Sequence, residues 1–337
     1  MPPDLKHGSG SKIAPNPKFA RPAQICLDCL KVKKGEKVLI ITDHNKLSIA
    51  WALFDAALEI GANVQLIRIP VGLTHGEEPP QPLPEFMRKF DVIIAPTSKS
   101  ISHTNARRNA SKNGVRIATM PDILEETFLR ALDANYWQIA ERSQAIAGLM
   151  VKTKIIRVKS PSGTAITFSK EKRMGLIDAG ILINPGDFSN LPAGEVYVAP
   201  IEESARGTIV VDGSMAGIGL LEQPLTLDIK YGFAESITGY GAEKLSQMLK
   251  PFGRPAFNLA EFGIGTNDKA RLCGSPLEDE KVIGTVHFAL GDNITMGGKV
   301  SVAIHLDGII TKPTVWFDEQ LIMKDGIFMV TGIKNSD

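Results

Sequence analysis

Hydrophobic and polar positions follow two different rhythms along this chain, and the rhythm changes near residue 150. Between residues 21 and 130, short β-rich runs alternate with stretches of helical spacing. Lys37-Val-Leu-Ile-Ile-Thr42, Val64-Gln-Leu-Ile-Arg-Ile69, Asp91-Val-Ile-Ile-Ala95 and Gly114-Val-Arg-Ile-Ala-Thr119 read as strands. Residues 47–60 place apolar side chains at helical intervals and stop at Gly61, a residue suited to the left-handed cap of a helix. Residues 76–84 form a Pro-rich loop, and a polar helix is expected at 104–113. Uniformly apolar strands alternating with helices predict a mostly parallel sheet covered on both faces.

A helical stretch at 128–149 links this part to a second one of different texture. Lys154-Ile-Ile-Arg-Val-Lys-Ser-Pro-Ser-Gly-Thr-Ala-Ile-Thr-Phe168 reads as a hairpin turning at Pro-Ser-Gly. Further strands are expected at 208–211, 225–229, 300–304 and 315–317, with a short helix at 242–249. The fold expected is an α/β N-terminal domain (21–150) with a mostly parallel sheet, then an α+β C-terminal domain (151–337) with mainly antiparallel strands. Residues 1–20, rich in Gly, Ser, Pro and Lys, read as a flexible arm.

Composition narrows the class. The chain has 337 residues, 43% hydrophobic and 22% charged, which suits a soluble globular protein. With 38 basic and 37 acidic residues, net charge +1, no nucleic-acid partner is expected. No apolar run is long enough for a membrane span. Three cysteines make no disulfide framework, so a cytoplasmic location is expected; Cys26 and Cys29 share a helix face and read as packed apolar side chains. No Gly-x-Ser-x-Gly elbow occurs, and Thr42-Asp-His-Asn-Lys46 has no glycine for a dinucleotide site, although Asp43-His44 stands where open α/β sheets often contact substrates.

The chemistry concentrates in the last third. Val300-Ser-Val-Ala-Ile-His-Leu-Asp307 sets an imidazole and a carboxylate two residues apart, hence on one face of a strand. His287 lies inside the small and apolar run 284–293. Glu195 follows the turn Asn190-Leu-Pro-Ala-Gly, and Glu261 sits among the glycines of Ala260-Glu-Phe-Gly-Ile-Gly-Thr-Asn267. Alone, each has a plain alternative, as a core histidine or an exposed loop glutamate. Together they suggest a divalent metal, because unpaired charge in an apolar setting is costly.

These same segments, with Gly284-Thr-Val-His-Phe-Ala-Leu-Gly291, come in the order seen in the aminopeptidase T and aminopeptidase S metallopeptidases, and residues 150–330 resemble that family. The resemblance implies a homodimeric hydrolase that removes N-terminal residues from peptides or small amides, using two divalent ions (Zn, Co or Mn). It implies Glu195, Glu261, His287, His305 and Asp307 as metal ligands. Glu280 would be a further ligand, with a longer spacer before His287 than the family has. Glu261 or Glu280 would accept the proton of a metal-bound water. One departure stands out: the family's tyrosine after the first histidine is Ile294 here.

That departure keeps two other readings open. The dihydroxypyridine ring-opening dioxygenases share this architecture, and this chain resembles them in offering Glu195, His287, His305 and Asp307 to a single iron. The other is a protein that keeps a metal without catalysis.

Overall fold

The computed structural model describes residues 16–333 and 335; most of the arm expected at 1–20 lies outside the described residues. Residues 17–19 form a 3-10 turn that leads into the helix Ala20–Cys29, in which Cys26 and Cys29 are buried. Burial pushes both thiols up from their ordinary pKa, so they pack rather than react.

Two architectures share the chain. The first is a five-stranded sheet in which every described pairing is parallel. Its strands, in spatial order, are Asn63–Arg68, Lys37–Thr42, Val92–Thr97, Arg116–Pro121 and Phe188–Asn190. Val38 and Ile40 pack with the helices Ala20–Cys29 and Leu47–Ile60 on one face, and Leu39 and Ile41 with Leu83, Met87 and Ala106 on the other. That two-sided burial is why these runs read as continuously apolar. Helix Leu47–Ile60 ends at Gly61 with φ +85°, as its sequence required. The fifth strand comes from well beyond residue 150 and leads straight into the turn that delivers Glu195.

The second architecture is two antiparallel sheets stacked face to face. An eight-stranded sheet holds the hairpin Ile155–Lys159/Ala165–Ser169, as its turn residues foretold. A seven-stranded sheet holds, side by side, Leu176–Asp178, Glu195–Val198, Leu259–Gly265, Val286–Gly291 and His305–Ile310. Strand alternation divides this sheet, with one irregularity between Leu259 and Glu261. Val196, Val198, Phe262, Ile264, Val286, Phe288 and Leu290 face the core between the sheets. There Phe168, Phe262 and Phe288 form an aromatic cluster with centroids 5.3–5.9 Å apart.

One expected strand is displaced. Residues 301–304 are irregular, and the strand begins at His305. The preceding segment is folded on itself instead, by Asp292 N–H to the Ile304 carbonyl (2.9 Å) and Asn293 N–H to that of Val300 (3.0 Å). Among the described residues no helix is long and apolar enough to cross a membrane.

Candidate metal centre

The other face of the seven-stranded sheet carries the charged residues, because they occupy the alternate positions. Asp178 pairs with Glu195, Glu195 with Gly265, Gly263 with His287, and Ala289 with both Glu261 and Asp307. Residues opposite one another in an antiparallel ladder share a face. Asp178, Glu195, Glu261, His287, His305 and Asp307 therefore converge from five adjacent strands. Glu195, Glu261, His287 and Asp307 are all buried.

Two overlapping groups offer donor atoms close enough to hold an ion: Glu195, Glu261 and His287, and Glu261, His305 and Asp307. His287 Nε2 lies 3.2 Å from Glu195 Oε2 and 3.3 Å from Glu261 Oε1. His305 Nε2 lies 3.2 Å from Glu261 Oε2 and 3.6 Å from Asp307 Oδ1. Glu261 thus reaches both imidazoles, one with each oxygen.

Gly263 makes room for this. A Cβ there would lie 1.9 Å from His287 Nε2. The glycines of this strand serve different ends, since a Cβ on Gly265 would meet the Val282 carbonyl oxygen at 2.0 Å. Gly265 admits backbone, and Gly263 admits the imidazole.

The donor set fits a metal. Nδ1 of His305 lies 2.9 Å from the Asp292 carbonyl oxygen, which can only accept, so Nδ1 carries the hydrogen. In the neutral ring Nε2 then presents a lone pair to two carboxylates. Such an arrangement repels unless a proton or a metal cation stands between the partners. A backbone carbonyl fixing the far nitrogen is how proteins orient a ligating histidine. His287 Nδ1 is buried without a hydrogen-bond partner, and Glu195 Oε2 has only His287 Nε2 beside it at 3.2 Å, which is costly unless a cation satisfies the carboxylate.

Without metal, protons take that place. Burial opposes charge on His287, but hydrogen bonding to Glu195 and Glu261 outweighs it and raises its pKa from 6.5 to about 10. His305 is raised well above 6.5, burial again being overcome, here chiefly by Asp307. Glu195, Glu261 and Asp307 fall below ordinary carboxylate values despite burial, held down by Lys281, His287 and His305 respectively.

Glu280, expected as a ligand, belongs to neither group. Its Oε2 accepts from Lys281 Nζ at 3.1 Å. Burial, then the charge of Asp307, push its pKa well up. Lys281 escaped the sequence reading. Its Nζ lies 2.6 Å from Glu195 Oε1, 3.1 Å from Glu280 and 3.9 Å from Asp178, with 2% of the side chain exposed. Burial works against its charge, and Glu195, Glu280 and Asp178 together keep its pKa above the ordinary lysine value. Nothing in Leu277-Glu-Asp-Glu-Lys-Val282 singles out the lysine, because its partners Glu195 and Asp178 lie far away in sequence.

The centre opens on one side. His287 is fully enclosed, whereas 31% of the His305 side chain is exposed. His103, on the loop after the third parallel strand, lies within electrostatic range of His305 and Asp292. Asp43 plays another part: it caps a 3-10 turn at Asn45 and binds the backbone N–H of Ser98 at 2.5 Å. Tyr197, two residues beyond Glu195, shares the charged face. Burial, then Glu195, raise its pKa, so the hydroxyl stays protonated.

Comparison with known proteins separates the peptidase reading from the dioxygenase one. The model of the family described as NicX, 2,5-dihydroxypyridine 5,6-dioxygenase, matches residues 19–330. The chain belongs to the 2,5-dihydroxypyridine 5,6-dioxygenase family. A curated relative of that name from Pseudomonas putida strain KT2440 is 25% identical over 253 residues, 70% of each chain. Among solved structures, the fold resembles 2,5-dihydroxypyridine dioxygenase from Pseudomonas putida KT2440, with TM-score 0.80, 19% identity and coverage of 94% of this chain and 98% of that one. It also resembles AmpT from Thermus thermophilus, with TM-score 0.69, 18% identity and coverage of 93% and 99%.

The aminopeptidase-like architecture therefore stands, and the aminopeptidase reaction does not. The family match, the curated relative and the dioxygenase structure overturn the hydrolase assignment. The physical reason for the misreading is that carboxylate and imidazole donors suit a hydrolytic ion pair and a single oxygenase iron equally well. Ile294, at the peptidase tyrosine position, lies in a 3-10 turn and is 48% exposed.

Proposed function

We propose that this chain is a mononuclear iron dioxygenase that opens the ring of a dihydroxypyridine. The observation that carries the reading is the convergence of Glu195, Glu261, His287, His305 and Asp307 on one sheet face, in a chain matched by the dioxygenase family across residues 19–330. Glu195, His287, His305 and Asp307 would hold the ion, with Glu261 lying between the two imidazoles. Iron bound there would supply the redox chemistry by which dioxygen cleaves an aromatic ring.

The chain's own residues do the rest. The Asp292 carbonyl fixes the His305 ring so that Nε2 faces inward. The enclosure of His287 excludes water from the inner side, leaving the His305 edge for substrate. A dihydroxypyridine entering there meets His103, whose pKa burial and then Arg107 lower, so its imidazole is neutral and able to accept from a ring hydroxyl. Glu280, with its raised pKa, holds a proton beside the centre.

The deciding test reconstitutes metal-free protein with ferrous iron under anaerobic conditions, adds 2,5-dihydroxypyridine and admits air. Loss of the substrate's ultraviolet absorbance with uptake of one dioxygen per ring is expected. No oxygen uptake across dihydroxypyridine isomers, with iron demonstrably bound, would refute the proposal.

A further inference from the structure

Five carboxyl groups, Asp178, Glu195, Glu261, Glu280 and Asp307, meet on this face, a number that would ordinarily suit two divalent ions. They do not stand equally free. Glu195 turns Oε1 to Lys281 Nζ at 2.6 Å and Oε2 to His287. Glu280 gives Oε2 to the same ammonium at 3.1 Å, and Asp178 Oδ2 lies 3.9 Å from it. The other oxygen of Asp178 accepts from Ser189 Oγ. The ammonium thus occupies a buried spot ringed by three carboxyl groups, next to the Glu195–Glu261–His287 group.

We propose that Lys281 Nζ stands in the place of a second cation and makes this a one-metal centre. The inference rests on the single-iron reading above and names the residue that enforces it. A lysine ammonium with three carboxyl neighbours gives them a fixed positive charge. It also takes the Glu195 oxygen that a bridging carboxylate would need. A divalent ion brought beside it would meet like charge in a buried setting, where screening by water and salt is weak. Lys281 is accordingly a positioning residue: it touches ligands and sets how many ions they hold.

Metal stoichiometry tests this without turnover. Metal-free wild-type protein, Lys281→Gln and Lys281→Arg are each titrated with Mn(II), separated from free ion by gel filtration, and measured by elemental analysis and electron paramagnetic resonance. Wild type and Lys281→Arg are expected to retain one ion per chain with an isolated-ion spectrum. Lys281→Gln is expected to retain two, with the spectrum of a coupled pair. Recovery of folded Lys281→Gln only when Mn(II) is present, at two ions per chain, supports the proposal equally. A second ion held tightly by wild type, or a folded Lys281→Gln that binds one, overturns it. Should Lys281→Gln fail to fold under all conditions, the wild-type count decides. A protein inert toward dihydroxypyridines that still shows the one-to-two change would sink the proposed reaction and leave this inference standing.

Discussion

Replacing Gly263 by alanine adds one methyl group, and the structure says where that methyl goes. Its carbon would lie 1.9 Å from Nε2, 2.2 Å from Cε1 and 2.8 Å from Cδ2 of His287. Ordinary contact begins near 3.4 Å, so the imidazole must retreat by about 1.5 Å, the difference between 3.4 and 1.9 Å. The strand cannot give way instead, because Leu259–Gly265 is paired on both sides and Phe262 and Ile264 are locked in the core. Backbone strain does not enter, since Gly263 is absent from the positive-φ glycines. A metal–nitrogen bond of about 2.1 Å does not survive such a displacement. Disturbing a group that merely supports a ligand costs about 10–100-fold in affinity, so loss of the ligand itself should cost at least the upper figure. Overpacking should also lower stability by about 1–3 kcal/mol. The assay is competition with a chromogenic chelator, alongside thermal unfolding of the metal-free protein. Gly148→Ala is the control, in a helix with nothing within 4 Å of the new carbon. That variant should bind metal normally and unfold slightly higher, by about 0.5–1 kcal/mol. A Gly263→Ala protein with wild-type metal affinity would refute the claim that His287 is a ligand held by that missing side chain.

Three further outcomes are expected. Glu261→Gln keeps size and removes the charge shared by the two imidazoles; circular dichroism should stay unchanged while bound iron and turnover fall by about 10–100-fold, as expected for a group that supports two ligands. In the metal-free protein the raised His287 pKa contributes stability that is complete below pH 6.5 and disappears as pH rises through about 10. The lowered pKa values of Glu195 and Glu261 contribute stability present above 4.5 and lost in acid. Denaturant unfolding should therefore show the metal-free form weakening from pH 6.5 towards 10. Metal affinity should strengthen over the same window, by about tenfold per pH unit for each proton displaced, and calorimetry in buffers of different ionisation heat counts those protons. Arg130→Met removes the cation that pairs with the fully buried Glu278 at 2.8–2.9 Å, leaving it only Thr127, Cys273 and the Arg271 N–H; the loss should be about 3 kcal/mol, read as a lower denaturant midpoint, and a shift under 1 kcal/mol would contradict the pairing.

The elements whose side chains report their own surroundings were legible in the chain. Val38-Leu-Ile-Ile41 is apolar throughout because it is covered on both faces, and Phe262 and Ile264 alternate with Glu261 and Gly263 because one face is core and the other a site. His305 and Asp307 share a face through strand geometry alone. Local periodicity holds that much, and the ligand set itself was implied by the family resemblance. Only the tertiary structure decided that Glu278-Asp-Glu-Lys281 is folded inward, with Glu278, Asp279 and Lys281 buried. Packing against Arg130, Cys273 and Glu195 makes that possible, and those partners lie elsewhere in the chain. The ion count and the direction in which the centre opens have the same origin. They depend on which charges meet across strands far apart in sequence, and no window of neighbouring residues contains that information.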